Sequence, residues 1–512
     1  MHGRGRGTSA AVAIATLVVA SPRAAHATSA DMTVDTTAQF YDVRSPTGET
    51  IVPRRRLTST VAVSAVDLLP KVDAPSPDFV KPRAEEIVFR ARLRYDADYG
   101  AHPGEAQPSD FDRFVPGFSR APVDLMYGYV EGRRLFGGFF GFKLGRQYTT
   151  DALGWWSFDG ASVRVTTPFF VAIEALGGME VRGGMPLSTP RFERDGVWRG
   201  NRGGFDPSLY PSFQPSDVAP AVGVAVESAG FTWLHGRLSY RRVYNTGKSN
   251  VSEFASGLSQ PVTIDGSRIS QERLGYALDA NLGDLGGAKA GLAYDFYAAH
   301  MSSIYASLDG YVTPRLTVSA DYDYYAPSFD GDSIWSFFAS NPMNDVSLRT
   351  TWTATDTLSL SAGGNARVMS AETSASNAST FVNAATAGSS EYPSASATFD
   401  GGGFVSARHR SGDNVLGGRA TALYGREGHR TGGELYAERT VFGRTVLLGR
   451  ASLFDWSDAL RASRAATSFG AVAGVGYRVA PRARTQLEYQ LDTNRLAGLR
   501  SRVVLWFTVA TR

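Results

Sequence analysis

From Arg315 to Tyr324 apolar and polar residues alternate strictly: Leu316, Val318, Ala320, Tyr322 and Tyr324 against Thr317, Ser319, Asp321 and Asp323. A period of two puts the two sets on opposite faces of a β-strand. The run before it, Ile304, Ala306, Leu308, Gly310 and Val312 against Tyr305, Ser307, Asp309 and Tyr311, has the same form, and only Thr313-Pro314 separates them. That spacing predicts a hairpin. Strands of a soluble sandwich usually run about five to six residues, whereas these approach the ~9–11 that a tilted strand needs to cross a bilayer.

The same reading along the chain gives about 22 candidate strands: 33–43, 56–67, 86–98, 123–131, 139–147, 161–166, 169–181, 219–227, 231–244, 270–282, 288–298, 303–312, 315–324, 345–352, 358–369, 395–408, 415–425, 431–441, 445–456, 467–478, 484–493 and 501–510. Alternate connections are short and rich in Gly, Pro and Asp, as at Glu131-Gly132-Arg133, Thr167-Pro168, Ala229-Gly230, Thr355-Asp356, Ser411-Gly412-Asp413, Phe442-Gly443-Arg444 and Ala480-Pro481. Many of those between are longer: 100–122, 148–160, 182–218, 245–269, 327–344 and 370–394. Short turns at one rim and long loops at the other are the pattern of outer-membrane barrels. The predicted fold class is therefore all-β, an antiparallel up-and-down transmembrane β-barrel of about 22 strands (18–22), with short periplasmic turns and long extracellular loops.

Two loops stand out by composition. Residues 370–394 are dominated by Ser, Ala, Thr and Asn, which favours a mobile external loop. Residues 182–218 interleave Met185, Phe192, Trp198, Phe205, Tyr210 and Phe213 with Arg191, Arg194, Arg199 and Arg202. Such a segment either folds onto neighbouring loops or dips into the lumen. In the second case Arg191, Arg194, Trp198, Arg199, Phe205 and Tyr210 are candidates for a constriction.

Arg4 and Arg6, an apolar run from Ala10 to Ala20 and the small residues of Ala25-His26-Ala27 read as a secretory signal peptide, residues 1–27, leaving 28–512 as a single outer-membrane barrel domain. Its removal takes away Arg4, Arg6 and Arg23 and no acid, so 52 basic against 49 acidic residues become 49 of each. A neutral mature chain gives no ground for a nucleic-acid partner. There is no Cys, hence no disulfide, thiol nucleophile or Cys-metal site. His102, His235, His300, His409 and His429 fall in unrelated segments without a paired acid or Ser at a recognisable spacing. No enzymatic activity and no cofactor are expected.

The segment Phe139-Phe140-Gly141-Phe142-Lys143-Leu144-Gly145-Arg146-Gln147, followed by Trp155-Trp156 and Phe158-Asp159-Gly160, resembles the Leu-Gly-Arg-Gln…Phe-Asp-Gly hairpin of outer-membrane porins of the alginate-export and substrate-specific type. The likeness covers about forty residues. It implies a monomeric barrel carrying small or polymeric anionic solutes.

If the apolar face meets lipid, charged positions must face the interior, since an Arg or Lys on the lipid face costs ~2–4 kcal/mol at midplane. The pore-lining candidates are Arg90, Arg92, Arg94, Lys143, Glu174, Arg273, Asp279, Asp321, Asp323, Arg349, Arg484 and Glu488. Either they pair across strands and stiffen the wall, or their Arg rungs favour anions in an open channel. The expected function is a porin-like outer-membrane channel for polar or anionic solutes, or for export of an anionic polysaccharide; the alternative is a structural or surface-binding barrel with an occluded lumen. The expected setting is the outer membrane of a Gram-negative bacterium. The partners there are outer-membrane lipid and lipopolysaccharide, the barrel-assembly machinery, and a small polar or anionic solute or polysaccharide.

Overall fold

The computed structural model describes residues 29–44, 50–66, 68, 85–98, 123–181, 218–247, 249–251, 262–327, 342–369, 397–425, 428–458, 465–495 and 498–511. Its first nine strands are β1 Ser29–Arg44, β2 Thr50–Val66, β3 Glu86–Asp98, β4 Val123–Leu135, β5 Phe140–Asp151, β6 Gly154–Thr166, β7 Val171–Glu180, β8 Pro220–Ser228 and β9 Leu234–Asn245. A separate small hairpin follows, β10 Ser249–Val251 with β11 Val262–Ile264. The rest are β12 Arg268–Asn281, β13 Gly286–Asp295, β14 His300–Thr313, β15 Leu316–Tyr325, β16 Met343–Thr353, β17 Leu358–Met369, β18 Thr398–Ser411, β19 Asn414–Gly425, β20 Gly428–Val441, β21 Thr445–Asp458, β22 Ala466–Ala480, β23 Ala483–Asn494 and β24 Gly498–Ala510.

Apart from the small hairpin, every strand pairs antiparallel with its chain neighbours, and β1 pairs with β24, so the 22-stranded sheet closes on itself. Closure removes the unpaired edges that an open sheet would leave in a membrane. Among the described residues no helix is long and apolar enough to cross a bilayer; strands cross without one.

Cross-strand partners share a face, so the ladders carry one parity around the whole ring. On one parity stand exposed Leu93, Leu144, Val163, Val224, Leu238, Leu308, Leu348, Val405, Leu435, Leu453, Leu487 and Leu505. The other parity carries most of the charges, the hydroxyls and many glycines; the Arg146–Asp159 and Arg242–Glu272 ion pairs are exceptions and stand on the aliphatic parity. Aliphatic surface of this extent is the outer, lipid-facing side, and the charged parity is the inner wall.

Each of the strands read from the sequence is present, but two boundaries differ in a way that matters. Glu131-Gly132-Arg133 is not a turn: β4 continues through it, and the chain reverses at 136–139, where Phe136, Gly137 and Gly138 take φ of 53°, 73° and 98°. Two successive glycines accept that left-handed reversal without strain. Nor is 148–160 a long loop. β5 and β6 run through it, pairing as far as Asp151↔Gly154, and Ala152-Leu153 alone connects them. The alternation fails there because Trp156, Ser157 and Phe158 are all buried, so no wet face marks the strand.

The inner wall as candidate functional site

All the pore-lining candidates fall on the charged parity. Arg90, Arg92 and Arg94 of β3 stand opposite Ser64, Ala62 and Thr60 of β2. Arg92 donates to Thr60 Oγ1 at 3.0 Å and lies 3.8 Å from Asp35, while Arg90 stands directly opposite Tyr129 of β4. Arg94 is held on Asp96, which also takes Arg56 Nε at 2.8 Å and the Thr58 hydroxyl at 3.0 Å. Lys143 lies 3.7 Å from Glu131, itself bonded by Arg133 at 2.6 Å.

Further round, Glu174 and Glu227 share Arg237 at 2.9 and 2.7 Å, and Arg164 also reaches Glu227. Arg273 binds Asp295 at 2.9 Å, and Asp279 lies 3.5 Å from Lys289. Asp321 accepts from Ser307 at 2.7 Å and Ser347 at 3.2 Å, whereas Asp323 stands directly opposite Tyr305 and Asp345. Asp345 in turn takes Arg367 at 2.9 Å. Glu488 accepts from Gln486 at 2.7 Å and Gln490 at 3.1 Å. Among the described residues Arg90, Arg349 and Arg484 have no carboxylate partner within 4.0 Å, unlike the paired charges.

The wall is thus mostly a network of cross-strand pairs with a few cations left over. Arg56, Arg133, Arg164 and Arg237 belong to it although they were not among the candidates, and Arg241 shares their face. The run Arg237-Leu238-Ser239-Tyr240-Arg241 carries the same alternation and would have marked two of them. Arg133 was hidden by the misplaced turn.

The buried part of the wall lies at β6–β9. β6 loses its β7 partner above Phe158↔Glu180, because β7 ends there, while the β5–β6 ladder continues to the tip. The released tip reaches β9 and β12. Arg241 Nη2 donates to the Leu153 carbonyl at 3.2 Å, and a Cβ placed on Gly275 would lie 2.7 Å from Leu153 Cδ2. Gly275 and Arg241 are both on the charged parity, so the tip lies against the inside of the barrel.

Beneath it Trp156 is fully buried, stacks on Phe158 at 4.4 Å between centroids and gives its indole N–H to Glu180 at 2.8 Å. Arg241 Cζ sits 5.0 Å over the Trp156 ring. Ala219, Ala221 and Val243 complete the cluster, with Leu176 packed against it. The cluster is tied to the tip through Arg241, which binds the Leu153 carbonyl and lies over the Trp156 ring.

The Leu-Gly-Arg-Gln…Phe-Asp-Gly residues meet across this hairpin. Gly145 pairs with Gly160, and Arg146 pairs with Asp159 through two 2.7 Å bonds. Gln147 gives its amide N–H to the Gly160 carbonyl at 3.1 Å and accepts the Ser162 hydroxyl at 3.3 Å. The constriction candidates Arg191, Arg194, Trp198, Arg199, Phe205 and Tyr210 lie outside the described residues, as do residues 1–27 and 370–394.

No protein-family model matches this chain, and no curated protein matches it. Solved structures with a similar barrel include OccAB2 of Acinetobacter baumannii, at 8% identity and TM-score 0.40 over 96% of this chain and 100% of that chain. OccD3 (OpdP) of Pseudomonas aeruginosa gives 9% and 0.40 over 95% and 92%. The P pilus usher (PapC) translocation pore gives 8% and 0.41 over 94% and 99%.

Proposed function

We propose that the chain is an outer-membrane channel for polar and anionic solutes, segments of an anionic polysaccharide included. The observation that carries this reading is the inner-wall ladder Arg90, Arg92 and Arg94, of which only Arg94 is tied into a short ion pair. A cation that is not neutralised at short range raises the local concentration of anions in a confined aqueous path. The secretory leader expected at residues 1–27 and the lipid-facing exterior fit export to the outer membrane.

A second reading, an occluded scaffold, is favoured by one observation: the β5–β6 tip and the dry Trp156 cluster already occupy part of the interior. Planar-bilayer recording separates the two. The channel reading expects ion current, and expects Arg90→Ala with Arg92→Ala to lower the anion-to-cation permeability ratio by about twofold while assembly is kept. Absence of current from correctly folded protein would favour the scaffold. Failure of the double variant to assemble would make these arginines structural.

A further inference from the structure

On the inner wall of β17–β21, well away from β3, three aromatic rings lie over glycines of the neighbouring strand. Phe404 is the direct partner of Gly363, Tyr436 of Gly417 and Phe454 of Gly432. A Cβ on these glycines would lie 2.8 Å from Phe404 Cε1, 2.4 Å from Tyr436 Cζ and 2.8 Å from Phe454 Cδ1. At Gly417 the ring is the nearest obstacle, while at Gly363 and Gly432 a neighbouring backbone carbonyl, of Leu348 at 2.7 Å and of Leu453 at 2.1 Å, is nearer still; in all three the missing side chain leaves the ring room against the wall.

Two of the rings carry an arginine. Arg419 Cζ is 3.9 Å from the Phe404 centroid and Arg430 Cζ is 4.3 Å from that of Phe454, both side chains being exposed. These are stacking distances. The charges around them are mixed: Glu434 stands opposite Arg419, and Arg450 lies 4.0 Å from Glu434. Trp456, opposite Arg430, has its indole N–H on Ser468 at 2.8 Å.

A guanidinium laid on a ring has already lost much of the rotamer freedom that binding would otherwise remove. Its in-plane N–H groups remain available for an anion, and its outer face can stack on a ring of the solute. Arg430 is level with Leu423, four residues along β19 from Arg419, which separates the two by roughly 13 Å at 3.3 Å per residue. A solute engaging both must be extended.

We propose that Arg419, Arg430 and Tyr436, laid on the wall over Phe404, Phe454 and Gly417, form a binding track for anions built of several linked rings. This rests on the channel reading, whose anion preference it makes selective for shape. The probe is trigalacturonate, compared with citrate, which has the charge without rings, and maltotriose, which has the rings without charge.

Trigalacturonate should interrupt single-channel current for longer than either comparator. Phe404→Leu with Phe454→Leu should shorten those interruptions about fivefold. Arg419→Lys with Arg430→Lys, which keeps charge and loses the plane, should do the same while the reversal potential in a salt gradient stays put. Equal blocking by citrate and trigalacturonate would overturn the track, and so would unchanged interruptions in the Lys pair, which decides the matter if the Leu pair does not assemble. Calorimetric titration of the detergent-solubilised protein runs in parallel. Trigalacturonate binding that is weakened in the Lys pair, found in a protein without current, overturns the channel and keeps the track; no binding to the wild type overturns the track.

Discussion

At the scale of residues, the hairpin motif is explained by close approach of backbone. A Cβ on Gly160 would lie 2.1 Å from the Gly177 carbonyl oxygen and 2.6 Å from Gly178 Cα, and one on Gly145, whose φ is 128°, would lie 2.3 Å from the Gly128 oxygen. Neither obstacle is a flexible side chain that could swing away. Gly160→Ala should therefore destabilise the barrel by on the order of 2–3 kcal/mol through forced separation of β6 and β7. Gly177→Ala is the matched control, since a Cβ there meets nothing nearer than the Ala221 oxygen at 3.9 Å. Urea unfolding followed by heat-dependent gel mobility reads both; equal midpoints would show that the strands part without cost. The motif itself is visible in the sequence. The reason for its glycines is not, because it lies on β4 and β7, the strands on either side.

At the scale of elements, the β5–β6 hairpin is the part the sequence misplaces. Reading 148–160 as an external loop followed from the loss of alternation, and alternation is lost where both faces of a strand are covered. Its tip touches β9 and β12, which are distant in sequence, so no local pattern records the contact. The absence of Cys from the chain makes the contact directly testable. A Cβ on Gly275 would lie 3.0 Å from the Ala152 Cβ, slightly inside the 3.5–4.5 Å range of disulfides, and a small retreat of the tip brings it into range. Ala152→Cys with Gly275→Cys should form a bond on oxidation, seen as a reductant-sensitive shift in gel mobility, and conductance should change little because the tip is already inside. A tip held above the barrel would leave both thiols free to alkylation.

At the scale of the whole molecule, the parity of the ladders divides the strand residues between an aliphatic outer face and a mostly charged inner face, and that division has a cost that can be measured. Val224 is exposed on the aliphatic face, whereas Ser361 shares the inner face with Thr351, with which it exchanges a hydroxyl hydrogen bond at 3.1 Å. Val224→Arg should cost ~2–4 kcal/mol near the bilayer midplane, and Ser361→Arg should stay within about 1 kcal/mol. Refolding into vesicles followed by denaturant titration gives both values. The reverse order would mean that the two faces have been exchanged.

Most strands, their antiparallel order and the facing of most of their charges are legible in the sequence, because a period of two and a short turn are local properties that one strand displays alone. The same period leads one to expect Arg90, Arg273, Asp321 and Glu488 on one face, and the ladders put them on the charged parity. Which charges neutralise each other emerges from the folded ring, since register between strands sets whether Arg237 meets Glu174 and Glu227. The tertiary structure alone brought Leu153 to Gly275 and laid Phe404 on Gly363, because these meetings depend on ring closure and on which side chain is missing across the ladder.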